Sequence, residues 1–455
     1  MSSDPANKPG AHASLSAQTA IAADPRVLID NGAMSRFQWG IVAVMVGLNA
    51  LDGFDVLSIS FASPGIATEW GIDRAALGLV LSMELIGMSL GSIVLGRLAD
   101  RIGRRITILG CLLVMSAGMF GAATSSGVEI LAGWRVFTGL GIGGMLAATN
   151  AAVAEASNRA NRSLTVVLMA AGYPVGTVLG GTVASSLLAL FDWRSVFVLG
   201  GVISLVFVPI VLRFAPESIH FLIHRGKPDA LTRVNEILAR MGHRALAALP
   251  TREPGEGAQP VTALFSGAML RPTLVLTVAY FAQIMTFYFI LKWIPKIVAD
   301  FGYPAALAGS VLVWASLGGL LGSLVLGLMT RGAQVRWLTI ASMVLSFVFV
   351  MLFGQGAHDL GSLSIYAAIA GFATNAGVVG LYALLATTFP TSLRASATGL
   401  VIGVGRGGSA LAPALAGFLF EAGYGLSSVA LLMGLGSILA AAALLLLPPR
   451  TRGQS

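Results

Sequence analysis

Two carboxylic acids, Asp52 and Asp55, lie three residues apart inside an apolar stretch that runs from Phe37 to about Phe61. Residues three apart share one face of an α-helix, so the two acids meet the same surroundings. An ionised acid at bilayer depth costs about 2.5 kcal/mol or more, and burial favours the neutral form of a carboxylic acid. The pair therefore predicts a proton-binding site. The alternative is a pair of helix-end acids in headgroup water.

Four further charged side chains lie in other apolar stretches: Glu84, Arg135, Lys292 and Arg406. Glu84 is either a second proton site or the partner of an arginine. Arg135 is either a partner of the two aspartates or a substrate contact. Arg406 can bind a carboxylate through two donors, and an internal ion pair is its alternative. Lys292 is expected to extend its ammonium group to the outer membrane interface.

Two polar and aromatic stripes at helical spacing could hold an aromatic ring. Such a ring needs apolar, π-rich walls with a few polar groups. The first stripe is Tyr280, Gln283 and Phe287, and the second includes Asn375 and Tyr382. Ordinary helix packing is the alternative interpretation for each residue.

The composition indicates that membrane helices position these groups. The chain has 455 residues, of which 56% are hydrophobic and 11% charged, whereas a soluble protein has about 25% charged residues. A membrane helix needs about 20 apolar residues. Twelve stretches qualify as spans 1 to 12, at roughly 37–61, 75–96, 106–125, 128–153, 163–190, 194–214, 272–298, 304–328, 336–354, 361–386, 395–420 and 426–447.

Cofactor and metal chemistry has little support in the sequence. Cys111 is the only cysteine, which excludes intrachain disulfides and cysteine metal clusters. His220 and His224 have a metal-ligand spacing, but no third zinc ligand is evident, so no metal site is predicted. The glycines at residues 139–144 follow no strand and predict close helix packing instead of a nucleotide loop. We expect no cofactor and no enzymatic activity.

The distribution of basic residues predicts the topology. Placing the N-terminus in the cytoplasm puts 22 of the 28 lysines and arginines on that side. The net charge of +8 thus follows membrane topology and does not indicate nucleic-acid binding. The predicted order is a disordered cytoplasmic tail (1–35), a six-helix bundle (36–214), a central cytoplasmic loop (215–271), a second six-helix bundle (272–447) and a cytoplasmic tail (448–455). Within the central loop, residues 227–241 are predicted to be helical and residues 250–260 to form a loop.

The two predicted bundles repeat one another. The sequence GRLADRIGRR at residues 96–105 has a counterpart, GLMTRGAQVR, 231 residues later. Arg162 after span 4 has a counterpart in Arg394 after span 10 at nearly the same offset. Related halves around a central path are typical of alternating-access carriers.

Several motifs together resemble one family of transporters. GRLADRIGRR resembles the loop signature of the major facilitator superfamily, G-x-x-x-D-R-x-G-R-R, and WRVFTG at residues 134–139 is similar to its span-4 motif. The sequence LDGFD at residues 51–55 resembles the D-G-x-D signature of the aromatic acid:proton symporters. The resemblance covers residues 36 to 447.

This resemblance implies an all-α membrane protein with the major facilitator fold, in which twelve helices form two pseudo-symmetric six-helix bundles. It implies import of protons with an aromatic carboxylate, similar to hydroxybenzoate or benzoate, by alternating access. The protein is then a monomer among the lipids of the cytoplasmic membrane. A carrier for another organic anion, a sugar or a drug, including an exporter, is the alternative.

The resemblance also implies roles for individual residues. Asp52 and Asp55 would couple transport to protons, and spans 1, 4, 7 and 10 would line the cavity. A cytoplasmic latch, in which a carboxylate binds arginines and a helix end in only one conformation, would comprise Gly96, Asp100, Arg101, Gly103 and Arg104. A simple positively charged loop is the alternative. Glu155, Arg394 and Arg406 match other charged positions of the family. Thr330 departs from the pattern in the second loop, so the two latches are expected to be unequal.

Overall fold

Twelve long apolar helices make up most of the structure, a computed structural model that describes residues 24–225, 228–249, 261–329, 335–356 and 359–447. The described residues contain no strand. The prediction of twelve spans is confirmed. Their observed bounds are Arg36–Trp70, Arg74–Ile102, Arg104–Ala123, Val128–Ala156, Arg162–Leu188, Arg194–Phe214, Leu270–Asp300, Ala305–Met329, Val335–Gly354, Leu360–Thr388, Thr391–Glu421 and Leu426–Leu445. We call spans 1–6 the N half and spans 7–12 the C half.

Local sequence signals set several helix ends. Ser35 and Gln38 form a capping box at the start of span 1. Asp73 accepts a hydrogen bond from the amide of Ala76 at 2.6 Å, which satisfies a free donor at the start of span 2. Gly71, with φ of 59°, ends span 1 in the left-handed conformation that favours glycine. These caps fix the connection between spans 1 and 2.

Glycines bring the backbones of spans 2 and 4 into direct contact. A Cβ atom at Gly87 would lie 2.2 Å from the carbonyl oxygen of Val136, and one at Gly139 would lie 2.1 Å from that of Glu84. Only a residue without a side chain allows such close approach. The packing therefore fixes the distance between the two helices that carry Glu84 and Arg135.

The C half repeats this packing between spans 8 and 10. A Cβ atom at Gly318 would lie 1.9 Å from the carbonyl oxygen of Ala368, and one at Gly371 would lie 2.0 Å from that of Ala315. Gly318 follows Gly87 by 231 residues, which is the offset of the sequence repeat. The repeat thus extends from sequence motifs to backbone contacts.

Two regions outside the spans contain short helices. Pro25–Asn31 is a helix whose Asp30 pairs with Arg162, so the end of the predicted tail at 1–35 is ordered. In the central loop, Ile219–Arg225 and Ala230–Met241 are helices. The predicted helix at 227–241 thus begins three residues later, and the predicted loop at 250–260 lies outside the described residues.

The two halves meet most closely at one end of the structure. We call this the far end; it contains the end of span 1 and the start of span 2. There Arg74 pairs with Asp300 across the halves at 3.0 Å. A Cβ atom at Gly78 would lie 2.6 Å from the carbonyl oxygen of Pro413.

The same helices separate toward the opposite, near end. A Cβ atom at Gly399 or Gly403 of span 11 would meet no described atom within 4 Å. One at Gly96 of span 2 would meet only Ala147 of its own half, at 3.5 Å. The interface is therefore closed at the far end and open at the near end.

Candidate proton and substrate sites

A buried cluster of charged side chains joins spans 2, 4 and 7. Glu84 forms ion pairs with Arg135 through one carboxylate oxygen and with Lys292 through the other, the latter at 3.3 Å. All three side chains are 0% exposed. Glu84 is thus the partner of an arginine, as one of its two interpretations proposed, and also of a lysine from the other half.

The two cations have further partners that fix their positions. Arg135 donates to the backbone oxygen of Asp55 at 3.0 Å, and its guanidinium group lies 5.3 Å from the centre of the Phe197 ring. Arg135 therefore binds the backbone of span 1, and its carboxylate partner is Glu84. Lys292 donates to the backbone oxygen of Val56.

The expected position of Lys292 was wrong. Its side chain is fully buried instead of extending to the membrane interface. Glu84 and a helix carbonyl provide the acceptors that an ammonium group otherwise finds in water, which explains the burial. The signal for this site was available, because Glu84 and Lys292 both lie within apolar stretches and have opposite charges.

Asp52 and Asp55 lie in the interior next to this cluster. They are 2% and 0% exposed, and no carboxylate oxygen of either has a hydrogen-bond partner among the described residues. Asp55 faces span 6, where a Cβ atom at Gly200 would lie 2.8 Å from its Oδ1 atom. Both aspartates interact electrostatically with Glu84. The pair is therefore placed away from headgroup water.

We call Asp52, Asp55, Glu84, Arg135 and Lys292 the central charge cluster. It combines three acids with two bases, so one bound proton makes the cluster neutral. A buried charge without a partner is unfavourable, and the two aspartates are the members without hydrogen-bonded carboxylates. The arrangement is suited to binding and releasing a proton.

The aromatic residues of spans 7 and 10 meet beside Arg406. The hydroxyl groups of Tyr280 and Tyr382 are 3.0 Å apart, and their ring centres are 5.8 Å apart. The charge of Arg406 acts on the hydroxyls of Tyr280 and Tyr288. Arg406 itself donates to the backbone oxygen of Met88 at 3.0 Å. Two tyrosines and an arginine thus come together next to the interface between the halves.

Other predicted members of this site have different surroundings. Gln283 donates to the backbone oxygen of Thr374 at 3.2 Å. Phe287 is buried and stacks edge-on against Tyr288, at 5.2 Å between ring centres. Asn375 points to span 8, where a Cβ atom at Gly319 would lie 2.2 Å from its Nδ2 atom. Asn375 therefore takes part in helix packing away from the tyrosines.

Sequence reasoning missed two tyrosines. Tyr288 and Tyr173 of span 5 are partly buried and both interact electrostatically with Glu84. They lie between the central charge cluster and Arg406. Tyr288 follows Tyr280 by two helical turns, so an extension of the predicted stripe would have included it.

The latch residues of the N half form a network with span 6. The Oε1 atom of Glu217 accepts hydrogen bonds from the amides of Arg104 at 2.8 Å and Arg105 at 3.3 Å. A carboxylate is favourable at this position because it faces the start of span 3. Arg104 also pairs with Glu155 at 3.1 Å, and Ser218 donates to Glu155. Glu217 was quoted in no predicted role.

The remaining latch residues are placed less closely. Arg101 and Arg394 are exposed, and Arg394 starts span 11 far along the chain from Arg406. The side chain of Asp100 lies outside the described residues, as does Thr330. A role for Asp100 in the latch stays a prediction.

Gly103 provides the first testable prediction. Its φ of +105° disfavours any side chain, and a Cβ atom there would lie 2.3 Å from Glu217. Gly103→Ala should reduce the free energy of unfolding by about 1–3 kcal/mol, measured as a lower unfolding temperature of the purified protein. Gly110→Ala in span 3 is the control, because its Cβ atom would meet nothing within 4 Å. Equal thermal shifts in the two variants would contradict this explanation.

Comparisons with known proteins agree with the fold. The model of the Major Facilitator Superfamily matches residues 45–330 and 276–455. The 4-hydroxybenzoate transporter of Pseudomonas aeruginosa is 29% identical, covering 93% of this chain and 95% of the relative. The gallate transporter of Pseudomonas putida is 30% identical, covering 93% and 94%.

A solved structure shows the same architecture. The crystal structure of a D-xylose-proton symporter matches with a TM-score of 0.71 and 17% identity, covering 92% of this chain and 99% of that one. The protein is a transporter and not an enzyme, as predicted. Matches across both halves, together with the relative that is 30% identical over nearly the whole chain, establish that the chain belongs to the major facilitator superfamily.

Proposed function

We propose that this protein is a symporter that imports an aromatic carboxylate together with protons by alternating access. The observation that carries this proposal is the central charge cluster, which lies beside the site formed by Tyr280, Tyr382 and Arg406. Relatives that are named as 4-hydroxybenzoate and gallate transporters support the substrate class.

The proton is assigned to Asp52 and Asp55. Both carboxylates are buried without hydrogen-bond partners among the described residues, so their ionised form is unfavourable. Glu84 is held by two cations and serves to keep Arg135 in place. A proton that arrives at the aspartates neutralises the cluster, and its release restores one negative charge.

The substrate is assigned to spans 7, 10 and 11. Arg406 supplies a planar pair of donors for the carboxylate, and the rings of Tyr280 and Tyr382 supply an aromatic wall. Phe287 and Gln283 extend the same face of span 7. The donor from Arg406 to Met88 is a backbone contact that a substrate carboxylate can replace.

The transport cycle follows from the closed far end and the open near end. We assign the near end and both termini to the cytoplasm and place the protein in the cytoplasmic membrane, because the basic residues concentrate on that side. The bundles at 36–214 and 272–447 then rock around the central site. One chain supplies every residue of the site, so a monomer suffices for transport.

Uptake in proteoliposomes tests the proposal. Purified protein should accumulate labelled 4-hydroxybenzoate when the exterior is acidic, and a protonophore should abolish the accumulation. Unlabelled gallate and benzoate should compete, whereas xylose and cyclohexane carboxamide should not. Accumulation that ignores the pH gradient would contradict proton coupling. Inhibition by xylose and not by benzoate would contradict the substrate class and favour a sugar carrier.

A further inference from the structure

Glu84 has two cationic partners that belong to different halves of the protein. Arg135 lies in span 4, in the same half as Glu84, whereas Lys292 lies in span 7 of the other half. Close glycine contacts fix the packing of spans 2 and 4. The pair between Glu84 and Arg135 therefore moves as part of one rigid unit.

Lys292 is bound only by groups of the opposite half among the described residues. Its Nζ atom donates to the backbone oxygen of Val56 in span 1 and lies 3.3 Å from the Oε2 atom of Glu84 in span 2. The side chain is fully buried. These contacts exist only while spans 1, 2 and 7 lie together.

The position of Lys292 relates these contacts to the far end. It lies two turns before the end of span 7, where Asp300 pairs with Arg74. Separation of the halves at the far end would remove both partners of the ammonium group. A buried ammonium group without a partner is strongly unfavourable, so its contacts favour the closed far end.

We propose that Lys292 is a positioning residue of the transport cycle, whose contacts with Glu84 and Val56 hold the two halves together at the far end. This inference deepens the proposed function and rests on its alternating access. The ion pair of Glu84 with Arg135 keeps the carboxylate in place, and Lys292 alone joins it to the C half. Lys292 thus sets the ratio between the two conformations.

Cysteine labelling of the full-length protein tests this inference. Cys111, the only cysteine, is replaced by serine to remove the background. Ala414→Cys then reports on the far end, because Ala414 is buried there and its amide donates to Ser82 of the other half at 3.0 Å. Gly403→Cys reports on the open near end. The rate of reaction with a hydrophilic maleimide is measured at each position.

Lys292→Met should raise the labelling rate at position 414 by about tenfold or more, equivalent to about 1.4 kcal/mol in the conformational equilibrium. It should also lower the rate at position 403. Opposite changes at the two ends distinguish a shift between conformations from partial unfolding, which would raise both rates. Unchanged rates, or an increase at both ends, would overturn the proposal.

Two matched variants sharpen the result. Lys296→Met removes a lysine one turn away that pairs with Asp300 of its own helix, and it should leave both rates unchanged. Lys292→Gln keeps a donor for Val56 and should give an intermediate rate at position 414. A large effect of Lys296→Met equal to that of Lys292→Met would show that any lost charge on span 7 suffices, which also overturns the proposal.

This experiment needs no substrate and no pH gradient. A failure of 4-hydroxybenzoate uptake would therefore leave the labelling result standing. Conversely, normal proton-driven uptake with unchanged labelling in Lys292→Met would refute only the role of Lys292.

Discussion

Asp55→Asn and Asp52→Asn should each abolish accumulation of the aromatic acid against its gradient. Asparagine has nearly the size of a protonated aspartic acid, but it cannot release a proton. The variants should therefore still exchange labelled for unlabelled substrate across the membrane, because exchange needs no net proton movement. We expect accumulation to fall to the external concentration while exchange remains measurable.

The measurement compares proton-driven uptake with exchange in the same proteoliposomes. Asp229→Asn is the control, since Asp229 is an exposed acid that pairs with Arg233 outside the spans. This control should accumulate substrate normally. Wild-type accumulation in both Asp52→Asn and Asp55→Asn would exclude the aspartates from coupling.

Arg406→Ala should weaken binding of the aromatic acid by about 10- to 100-fold, because a hydrogen bond to a charged group contributes about 1.5–3 kcal/mol. Arg406→Lys should also weaken binding, since a point charge does not reproduce the planar pair of donors. The neutral amide of the same ligand lacks the carboxylate. Its affinity should change little in either variant, so the preference for the acid should be lost.

Ligand-induced thermal shifts of the purified variants provide the affinities. Arg213→Ala is the control, because Arg213 is an exposed arginine at the end of span 6. If Arg406 only stabilises the fold through its contact with Met88, acid and amide should lose affinity equally. An unchanged preference for the acid in folded Arg406→Ala would remove this residue from the binding site.

The helices were predictable because each span is a local property of the sequence. A run of about 20 apolar residues forms a membrane helix wherever it lies in the chain, and the observed spans follow. Partners between helices depend on rotation and depth, which hydropathy does not contain. The position of Lys292 was wrong for this reason, because an apolar helix near its end gave no indication of an acid 208 residues earlier.

The candidate site shows the same limit. Tyr280 and Tyr382 could be named from stripes at helical spacing, and they do meet. Asn375 fitted its stripe equally well, but span 8 lies on that side of the helix. Glu84 had two interpretations in the sequence, and only the helix crossing at Gly139 shows how close it lies to Arg135.

The glycine crossings also show how the two halves of the chain have diverged. The crossing of spans 2 and 4 and that of spans 8 and 10 superpose their glycines at a nearly constant offset. At this offset Glu84 corresponds to Ala315 and Arg135 to Ala367, two fully buried alanines. An ion pair in one repeat thus stands where the other has two methyl groups. Duplication supplied a common scaffold, and the two copies divided the labour, the first holding the acids and the second the cations that cross to it.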